Sequence, residues 1–374
     1  MKILDIEAKK LVFTGEEAIL ESYRIEKLKD DEILVKTKYS LISIGTETTL
    51  YIKKRWNTDK TDVSTSKHQN SGWDFDNYGK GDKWDLDKNM KCPGYALAGD
   101  VIEVGEKVTD FKIGDRVISL QNHCNYAVCS TKPWHTLKIP DGVSYEESTF
   151  SVLASVALHG IRRSNIRLGE DIVIMGAGLV GLLLIQFAKK SGAYPIISVD
   201  LCQERLELAK KLGADFIINP DKNDLVEKVR KYIGQEGTNC TIEAVGNPRV
   251  LQNCLKISAP GARVVVMGAI LGEISLDLYN EFVFRELNLI AAQQPRNPTE
   301  DTIYYHFTGQ RNRLYSLDLL KRGELNVKDL ITHRFKYIEA SKVYALLGQA
   351  KNADYDAKGN VNRDMIGVLL EWEG

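Results

Sequence analysis

Three glycines between residues 171 and 181 have the spacing that a bound dinucleotide requires. The segment reads DIVIMGAGLVG, so Gly176, Gly178 and Gly181 follow one apolar run and open another. In a strand–turn–helix, the first glycine allows a tight turn, the second lets the backbone approach a pyrophosphate, and the third permits close helix–strand packing. The free N–H groups of the helix N-terminus then face the phosphates. The spacing therefore predicts a dinucleotide site.

An acidic residue stands where the ribose of that dinucleotide would bind. Asp200 ends the next predicted strand, 19 residues after Gly181. A carboxylate there accepts hydrogen bonds from the ribose hydroxyls and repels a 2′-phosphate, which favours NAD(H) over NADP(H). Arg205 is the nearby cation that would weaken this preference. The other predicted cofactor contacts are Leu179, Val180, Val245, Gly246, Met267, Gly268, Ala269 and Gln293.

The elements that position these glycines alternate between strands and helices. Apolar segments predict strands at 171–176, 194–200, 215–220, 240–246, 263–268 and 287–293. Apolar residues three or four positions apart predict helices at 180–191, 203–212 and 223–233. This alternation is typical of a parallel sheet whose faces are covered by crossover helices. We therefore predict the α/β class, with a doubly wound parallel six-stranded Rossmann sheet.

The two ends of the chain have a different pattern. Short strands with glycine-rich turns are predicted at 32–39, 98–104, 115–119 and 125–129, and later helices near 314–322 and 338–348 precede a last strand at 365–372. The predicted organisation is a β-rich domain over 1–154, a dinucleotide domain over 155–293, and a C-terminal return to the first domain over 294–374.

A polar segment, residues 51–91, interrupts the β-rich part and holds three of the five tryptophans. Long loops without regular structure are usually disordered or functional, and disordered segments are poor in aromatic residues. Two interpretations stay open. The segment is either a surface flap that packs its own aromatics or a loop that covers the substrate, with Trp73 and Trp84 stacking on it.

Composition excludes several classes of protein. The chain has 374 residues, 43% of them hydrophobic, which is typical of a globular protein with two compact units. Fifty Lys+Arg against 51 Asp+Glu give no cationic field for a nucleic acid. The uncharged run 172–188 belongs to the strand–turn–helix, so no membrane segment is expected. Six scattered cysteines without a Cys-x-x-Cys pair, and no signal-peptide pattern, favour the cytoplasm.

Short motifs recur along nearly the whole chain. They are 93–99 (PGYALAG), 104–105 (VG), 114–117 (GDRV), 139–142 (IPDG), 157–160 (ALHG) and the glycines already described. Together they resemble the medium-chain dehydrogenase/reductase superfamily. Residues 43–47 (SIGTE), 93–95 (PGY), His123 with 125–126 (NY), and 330–334 (LITHR) are similar to the branch with bacteriochlorophyllide hydroxyethyl dehydrogenases and related alcohol dehydrogenases. The resemblance implies a GroES-like first domain and a homodimer or homotetramer.

The zinc ligands of that superfamily are not matched here. Zinc-dependent members place a Cys, a Gly-His-Glu and a third ligand where this chain has Ser43-Ile44, Gly94-Tyr95-Ala96 and the residues around Val152. Hydroxyl, phenol and alkyl groups replace the thiolate and imidazole that bind zinc. The lobe with four closely spaced cysteines is also missing, since the stretch 116–140 holds only two. We therefore predict no metal.

Without a metal, side chains must exchange the proton when hydride passes between an alcohol and NAD. The resemblance implies Thr46, Glu47, Tyr95 and His123 as catalytic residues around the substrate cleft. Thr46 matches the residue that passes a proton toward solvent, and Glu47 is either a base or a ligand of a sugar hydroxyl. His123 is a candidate because histidine is the residue type suited to proton exchange near neutral pH. For Tyr95 and His123, the alternative is packing with satisfied polar atoms.

These features predict a zinc-independent, NAD-dependent oxidoreductase that interconverts a secondary alcohol and a ketone. Aromatic rings beside Asp and Asn groups in residues 51–91 favour a sugar, polyol or glycoside as the substrate. One alternative is a reductase of enones or quinones, a class that usually takes NADPH. Another is a nucleotide-binding protein without catalysis. A small molecule is the expected partner, and neither nucleic acid nor membrane is.

Overall fold

The computed structural model describes residues 2–14, 17–52, 92–270, 273–293, 301–302, 306–352 and 364–373. The aromatic-rich segment lies outside these residues except for Tyr51 and Ile52, so both interpretations of it stay predictions. The chain forms two compact units. The first unit comprises Met1–Val152, Leu317–Arg322 and Val327–Gly374, and the second comprises Leu153–Ser316 and Gly323–Asn326.

The described strands and helices follow in chain order. The strands are β1 (Lys2–Phe13), β2 (Ala18–Leu28), β3 (Glu32–Ile42), β4 (Leu97–Val104), β5 (Arg116–Ser119), β6 (Tyr126–Ser130), β7 (Thr136–Lys138), β8 (Ile172–Met175), β9 (Ile196–Val199), β10 (Phe216–Ile218), β11 (Thr238–Glu243), β12 (Ser258–Val266), β13 (Asn288–Ala291), β14 (Ile331–Lys336) and β15 (Gly367–Glu371). The α-helices are α1 (Ile44–Ile52), α2 (Tyr145–Ser164), α3 (Leu179–Lys190), α4 (Gln203–Leu212), α5 (Leu225–Ile233), α6 (Pro248–Ile257), α7 (Gly309–Lys321) and α8 (Ala340–Asn352). A π-helix spans Leu278–Val283.

The first unit is built around β3. This strand pairs antiparallel with β15, β4 and β6 within a seven-stranded sheet. Six of its strands follow the order β14-β15-β3-β4-β5-β7, and the seventh, β6, pairs with β3 outside that order. The apolar residues of β3 are buried because both faces of the strand are covered, with Ile33 and Val35 in one core cluster and Leu34 in another. A separate antiparallel hairpin, β1–β2, adds Leu11 and Phe13 to a core that α8 shares through Val343 and Tyr344. At its C-terminal end, β3 leads through Ser43 directly into α1.

The second unit contains a parallel sheet of order β10-β9-β8-β11-β12-β13. All four residues of β8 and of β9 are buried, as expected for strands covered on both faces. The six strands and the helices α3, α4 and α5 confirm the predicted α/β class and the doubly wound six-stranded sheet. The carboxyl ends of β8, β11 and β12 meet at one edge, where the glycine turn lies.

The C-terminal return differs from the predicted start at residue 294. The structure assigns the chain to the second unit up to Ser316, and Gly323–Asn326 belong there too. Gln186 on α3 explains why Gly323–Asn326 belong to the second unit. Its amide nitrogen donates to Asn326 O at 3.0 Å, and its amide oxygen accepts from Asn326 N at 2.8 Å. This contact joins residues 140 positions apart, which a local pattern cannot indicate. The first boundary, at Val152, lies two residues before the predicted one.

Two surface properties bear on partners. Within the described ranges, no helix combines the length and the apolar character needed to cross a membrane. In the second unit, β13 is the last strand of the sheet order, and apolar side chains near it are exposed. These exposed residues are Leu278, Tyr279, Val283, Phe284 and Leu289, and Phe284 is 72% exposed.

Candidate functional site

The glycine turn between β8 and α3 leaves no room for side chains at two of its three glycines. Gly176 has φ +105°, a left-handed conformation that favours glycine. A Cβ at Gly181 would lie 1.8 Å from Gly176 O, so the third glycine lets the helix pack onto the turn. Gly178 precedes α3 and faces open space, with nothing within 4 Å of its Cβ position. The turn thus forms a cradle at a helix N-terminus, beside Leu179 and Val180 on the first turn of α3.

Asp200 follows β9 and binds the same turn. Its Oδ2 accepts from Ala177 N at 2.7 Å, and its Oδ1 accepts from Cys202 N at 2.8 Å. Each carboxylate oxygen keeps a further lone pair. The half-buried Asp200 therefore orients the glycine turn and can still accept from a ribose. Arg205 lies in the first turn of α4, also half-buried.

The loops after β11 and β12 are joined by Glu243, which the sequence analysis did not single out. Its Oε1 accepts from Gly246 N at 2.7 Å and from Val245 N at 2.9 Å. Burial raises the pKa of this carboxyl, and the bonds from Gly246 and Val245 oppose the rise. A Cβ at Gly268 would lie 2.2 Å from Gly246 N, so the two loops touch. An acidic residue at the end of a mostly buried apolar strand is the signal that could have identified Glu243.

The other predicted cofactor contacts lie at the same edge of the sheet. A Cβ at Gly176 would lie 2.8 Å from the Val245 side chain, and one at Gly246 would lie 3.1 Å from Ala269 O. Met267 Sδ fills the space beside Gly160 of α2. Gln293 lies two residues beyond β13 and is exposed. The structure thus brings the loops at 176, 245–246 and 267–269 into direct contact.

In the first unit, three hydroxyl groups meet where β3 ends and α1 begins. The Tyr95 hydroxyl donates to Ser43 Oγ, and Thr46 on the first turn of α1 also contacts the Tyr95 hydroxyl. Burial raises the pKa of Tyr95, as does the negative charge of Glu47, whereas bonds with Ser43 and Thr46 oppose the rise. Tyr95 is half-buried and Thr46 exposed, so this hydroxyl cluster reaches the surface of its unit.

Glu47 and His123 lie behind the hydroxyl cluster and are fully buried. Glu47 Oε1 accepts from Ser43 N at 2.7 Å, and His123 Nε2 lies 3.0 Å from Glu47 Oε2. His123 Nδ1 lies 2.7 Å from Ser40 Oγ, which accepts from Trp372 Nε1 at 2.8 Å. Tyr344 donates its hydroxyl to Glu47 Oε2, and both burial and the Glu47 charge raise its pKa well above the ordinary value.

The loop that carries Tyr95 is shaped around His123. Gly94 has φ +97°, and a Cβ there would lie 2.7 Å from His123 ring atoms. The backbone N–H of His123 donates to Pro93 O at 2.9 Å, and Asn122 Nδ2 donates to Gly94 O at 3.1 Å. A glycine is required at 94 because both the backbone conformation and the ring exclude a side chain.

The four predicted catalytic residues therefore form one cluster with two layers. Thr46 and Tyr95 lie in the outer layer with Ser43, whereas Glu47 and His123 lie in the inner layer, at 1% and 0% exposure. Ser40, Asn122, Tyr344 and Trp372 were missed. Tyr344 is 297 residues from its partner Glu47, and no local spacing indicates such a contact.

The donor set of the first unit does not fit zinc. The side chains of Ser43 and Tyr95 are hydrogen-bonded to one another. Both carry hydroxyl groups rather than the thiolate or imidazole ligands that zinc prefers. Ala96 and Val152 are buried apolar residues. Among the residues that the structure describes, no group of three or more His, Cys, Asp or Glu side chains could hold a metal ion.

Known proteins are similar to both units. Residues 58–154 match the alcohol dehydrogenase GroES-like domain, and residues 180–302 match the zinc-binding dehydrogenase family. The chain is 30% identical over 247 residues to D-guloside 3-dehydrogenase of Escherichia coli strain K12, covering 64% of this chain and 68% of that protein. It is 31% identical over 281 residues to L-threonine 3-dehydrogenase of Pyrococcus abyssi, covering 67% and 76%.

A solved structure agrees with these matches over the full length. An Escherichia coli oxidoreductase of unknown specificity superposes with a TM-score of 0.77 at 20% identity, over 99% of this chain and 100% of the other. With the glycine turn in the parallel sheet and the β-rich first unit, these similarities confirm the resemblance to the superfamily, whereas the similarity to the narrower branch stays a prediction. The chain belongs to the medium-chain dehydrogenase/reductase superfamily of oxidoreductases.

Proposed function

We propose that this protein is a zinc-independent, NAD(H)-dependent oxidoreductase that interconverts a secondary alcohol and a ketone. The observation that carries the proposal is the Tyr95 hydroxyl, which is hydrogen-bonded to Ser43, since both residues stand at places where zinc ligands are expected. These hydroxyls are the groups in the first unit that can bind the substrate oxygen in place of a metal.

Tyr95 acts as the proton donor and acceptor in this proposal. Its raised pKa keeps the phenol protonated at neutral pH, so it can donate its one proton to a ketone oxygen when the hydroxyl turns away from Ser43. In the oxidative direction the phenolate accepts the proton of the alcohol. The exposed Thr46 hydroxyl would then exchange that proton with solvent. Because the pKa of Tyr95 is raised, the phenolate forms only at high pH, and neutral pH favours ketone reduction.

The second unit fits a nicotinamide dinucleotide. The glycine turn would hold the pyrophosphate, with Gly178 leaving open space beside the N-terminus of α3. The loops at Val245–Gly246 and Gly268–Ala269 would hold the nicotinamide half, and Gln293 lies at the same edge. When bound, the nicotinamide supplies or takes the hydride. Asp200 favours NAD(H), because its carboxylate repels a 2′-phosphate.

A polyhydroxylated alcohol or ketone is the substrate class that we favour. One relative is named for a reaction on D-guloside, a sugar derivative, and this supports a sugar, polyol or glycoside. The enone or quinone reductase remains the second candidate, and the hydroxyl cluster would serve it equally as a proton donor. Hydride transfer measured with a panel of polyols, sugars, enones and quinones separates the two, and no transfer with any of them would support a protein without catalysis.

Location and assembly complete the proposal. Five of the six cysteines are buried as thiols, which supports a reducing compartment such as the cytoplasm. The exposed apolar residues near β13 support a homodimer or homotetramer, since a second copy would cover both them and the sheet edge.

Replacing Tyr95 with Phe tests the proton donor. We expect kcat for ketone reduction to fall about a hundredfold while the Kd of NADH is unchanged, because general acid catalysis contributes about that factor. In the wild type, alcohol oxidation should rise with pH toward the raised pKa of Tyr95, and the variant should lose this rise. The matched control is Tyr145→Phe, which removes a tyrosine–carboxylate hydrogen bond to Asp100 elsewhere in the first unit. Equal kcat for Tyr95→Phe and wild type would contradict the proposal.

Replacing Asp200 with Asn tests the cofactor preference. We expect wild type to bind NADH at least about tenfold more tightly than NADPH, because hydrogen bonds to a charged group contribute about 1.5–3 kcal/mol. The variant should lose most of this ratio in fluorescence titrations of both cofactors. Asp215→Asn is the control, since Asp215 also accepts from a backbone N–H, that of Ile196 at 2.8 Å. An unchanged ratio in Asp200→Asn would show that another residue sets the preference.

Metal analysis tests the absence of zinc. We expect the purified protein to contain no stoichiometric zinc by mass spectrometry and to keep its turnover in excess EDTA, because Ser43, Tyr95 and Val152 are poor zinc ligands. A zinc-dependent dehydrogenase treated in parallel serves as the control. One zinc per chain, whose removal abolishes turnover, would refute this part of the proposal.

Sedimentation tests the assembly. We expect the wild type to sediment as a dimer or tetramer and Phe284→Glu to dissociate, because a charge would be buried in an apolar interface. Leu168→Glu is the control, since Leu168 is 88% exposed in the same unit, outside the apolar residues near β13. A monomeric wild type, or two variants that behave alike, would contradict the assigned face.

A further inference from the structure

The buried layer behind the hydroxyl cluster forms a continuous hydrogen-bond network from Trp372 to Glu47. An indole N–H can only donate, so Trp372 donates to Ser40 Oγ at 2.8 Å. Ser40 Oγ also forms a hydrogen bond with His123 Nδ1 at 2.7 Å, and His123 Nε2 lies 3.0 Å from Glu47 Oε2. Tyr344 donates to the same oxygen. The hydrogen bonds of Ser43, His123 and Tyr344 thereby converge on one carboxylate, that of Glu47.

This buried hydrogen-bond network fixes the positions of both Tyr95 and Ser43. Glu47 Oε1 accepts from Ser43 N at 2.7 Å and so fixes the backbone of the residue that receives the Tyr95 hydroxyl. His123 holds the other side, since its N–H binds Pro93 O and its ring packs against Gly94. A shift of Glu47 or His123 therefore changes the distance between the two hydroxyls.

We propose that Tyr344 is a positioning residue for this site, acting through Glu47 and Ser43 on the Tyr95 hydroxyl, with Trp372 in the same role through Ser40 and His123. The inference rests on the proposed function of Tyr95. Glu47 and His123, at 1% and 0% exposure, lie too deep to touch a substrate, and we assign them to the same positioning group. Two C-terminal elements, α8 and the residue after β15, thus complete a site whose reacting groups lie before residue 96.

The geometry at Tyr344 allows a selective change. Its ring packs edge-on against Phe13 at 4.9 Å between centroids, and it belongs to the core of the first unit. Tyr344→Phe keeps this packing and removes only the hydroxyl that binds Glu47. The variant therefore separates the hydrogen bond from the fold. Trp372→Phe removes the indole donor to Ser40 and provides a second, independent variant.

A double-mutant cycle tests the inference. Tyr344→Phe, Tyr95→Phe, the double variant and Trp372→Phe are compared in kcat, KM and Kd of NADH, with Tyr145→Phe as the matched control. We expect Tyr344→Phe and Trp372→Phe to lower kcat about tenfold, since small misplacements of reacting groups are costly, while the Kd of NADH is unchanged. In the Tyr95→Phe background, Tyr344→Phe should change kcat by less than about twofold, because residues that act through one another are not additive.

Each other outcome has a defined meaning. If Tyr95→Phe loses turnover but Tyr344→Phe and Trp372→Phe keep it and only lower Tm, the residues are merely structural and the inference fails alone. If the effects of Tyr344→Phe and Tyr95→Phe multiply in the double variant, Tyr344 does not act through Tyr95, and the inference again fails. If Tyr95→Phe keeps full turnover, the proposed function fails and the positioning role falls with it.

Discussion

The first unit depends on one buried carboxylate. A charged group that leaves water is costly unless hydrogen bonds replace its hydration, and Glu47 receives such bonds from Ser43, His123 and Tyr344. These donors come from the end of β3, from the loop before β6 and from α8. Because each donor offsets part of the cost of burying this carboxylate, three distant parts of the chain are tied to one point. The hydroxyl cluster lies next to the Glu47 carboxylate, and Glu47 fixes its position through the hydrogen bond from Ser43 N.

The second unit uses carboxylates in a similar way. Asp200 binds the backbone of the glycine turn, and Glu243 binds the backbone of the loop after β11. Both residues end strands of the parallel sheet, where the chain leaves regular hydrogen bonding and loop N–H groups need acceptors. The same edge is where parallel α/β sheets bind ligands. Hydrogen bonds within the protein thus hold the loops at the edge where we propose that the cofactor binds.

Regions of regular pattern were predictable, and regions of weak pattern were not. Strands β8 to β13 were predicted because each is an apolar run between turn residues, and α4 was predicted with its observed bounds. The hairpin β1–β2 was missed because Lys and Glu residues interrupt its alternation, and the 20-residue helix α2 was missed because its polar residues obscure the period. Motifs identified the candidates Thr46, Glu47, Tyr95 and His123. A motif does not indicate whether a side chain is buried or exposed.

The sequence by itself indicated the two-unit organisation, the glycine turn and the position of Asp200 at the end of a strand. These are local features, since a glycine spacing or an apolar period is complete within about 30 residues. Only the tertiary structure decided which candidates reach the surface: Tyr95 and Thr46 do, whereas Glu47 and His123 are enclosed. It also supplied Tyr344 and Trp372, whose partners lie 297 and 332 positions away. Such contacts arise when β15 and α8 pack onto β3 and α1, and that packing is set by burial of apolar surface rather than by residue spacing.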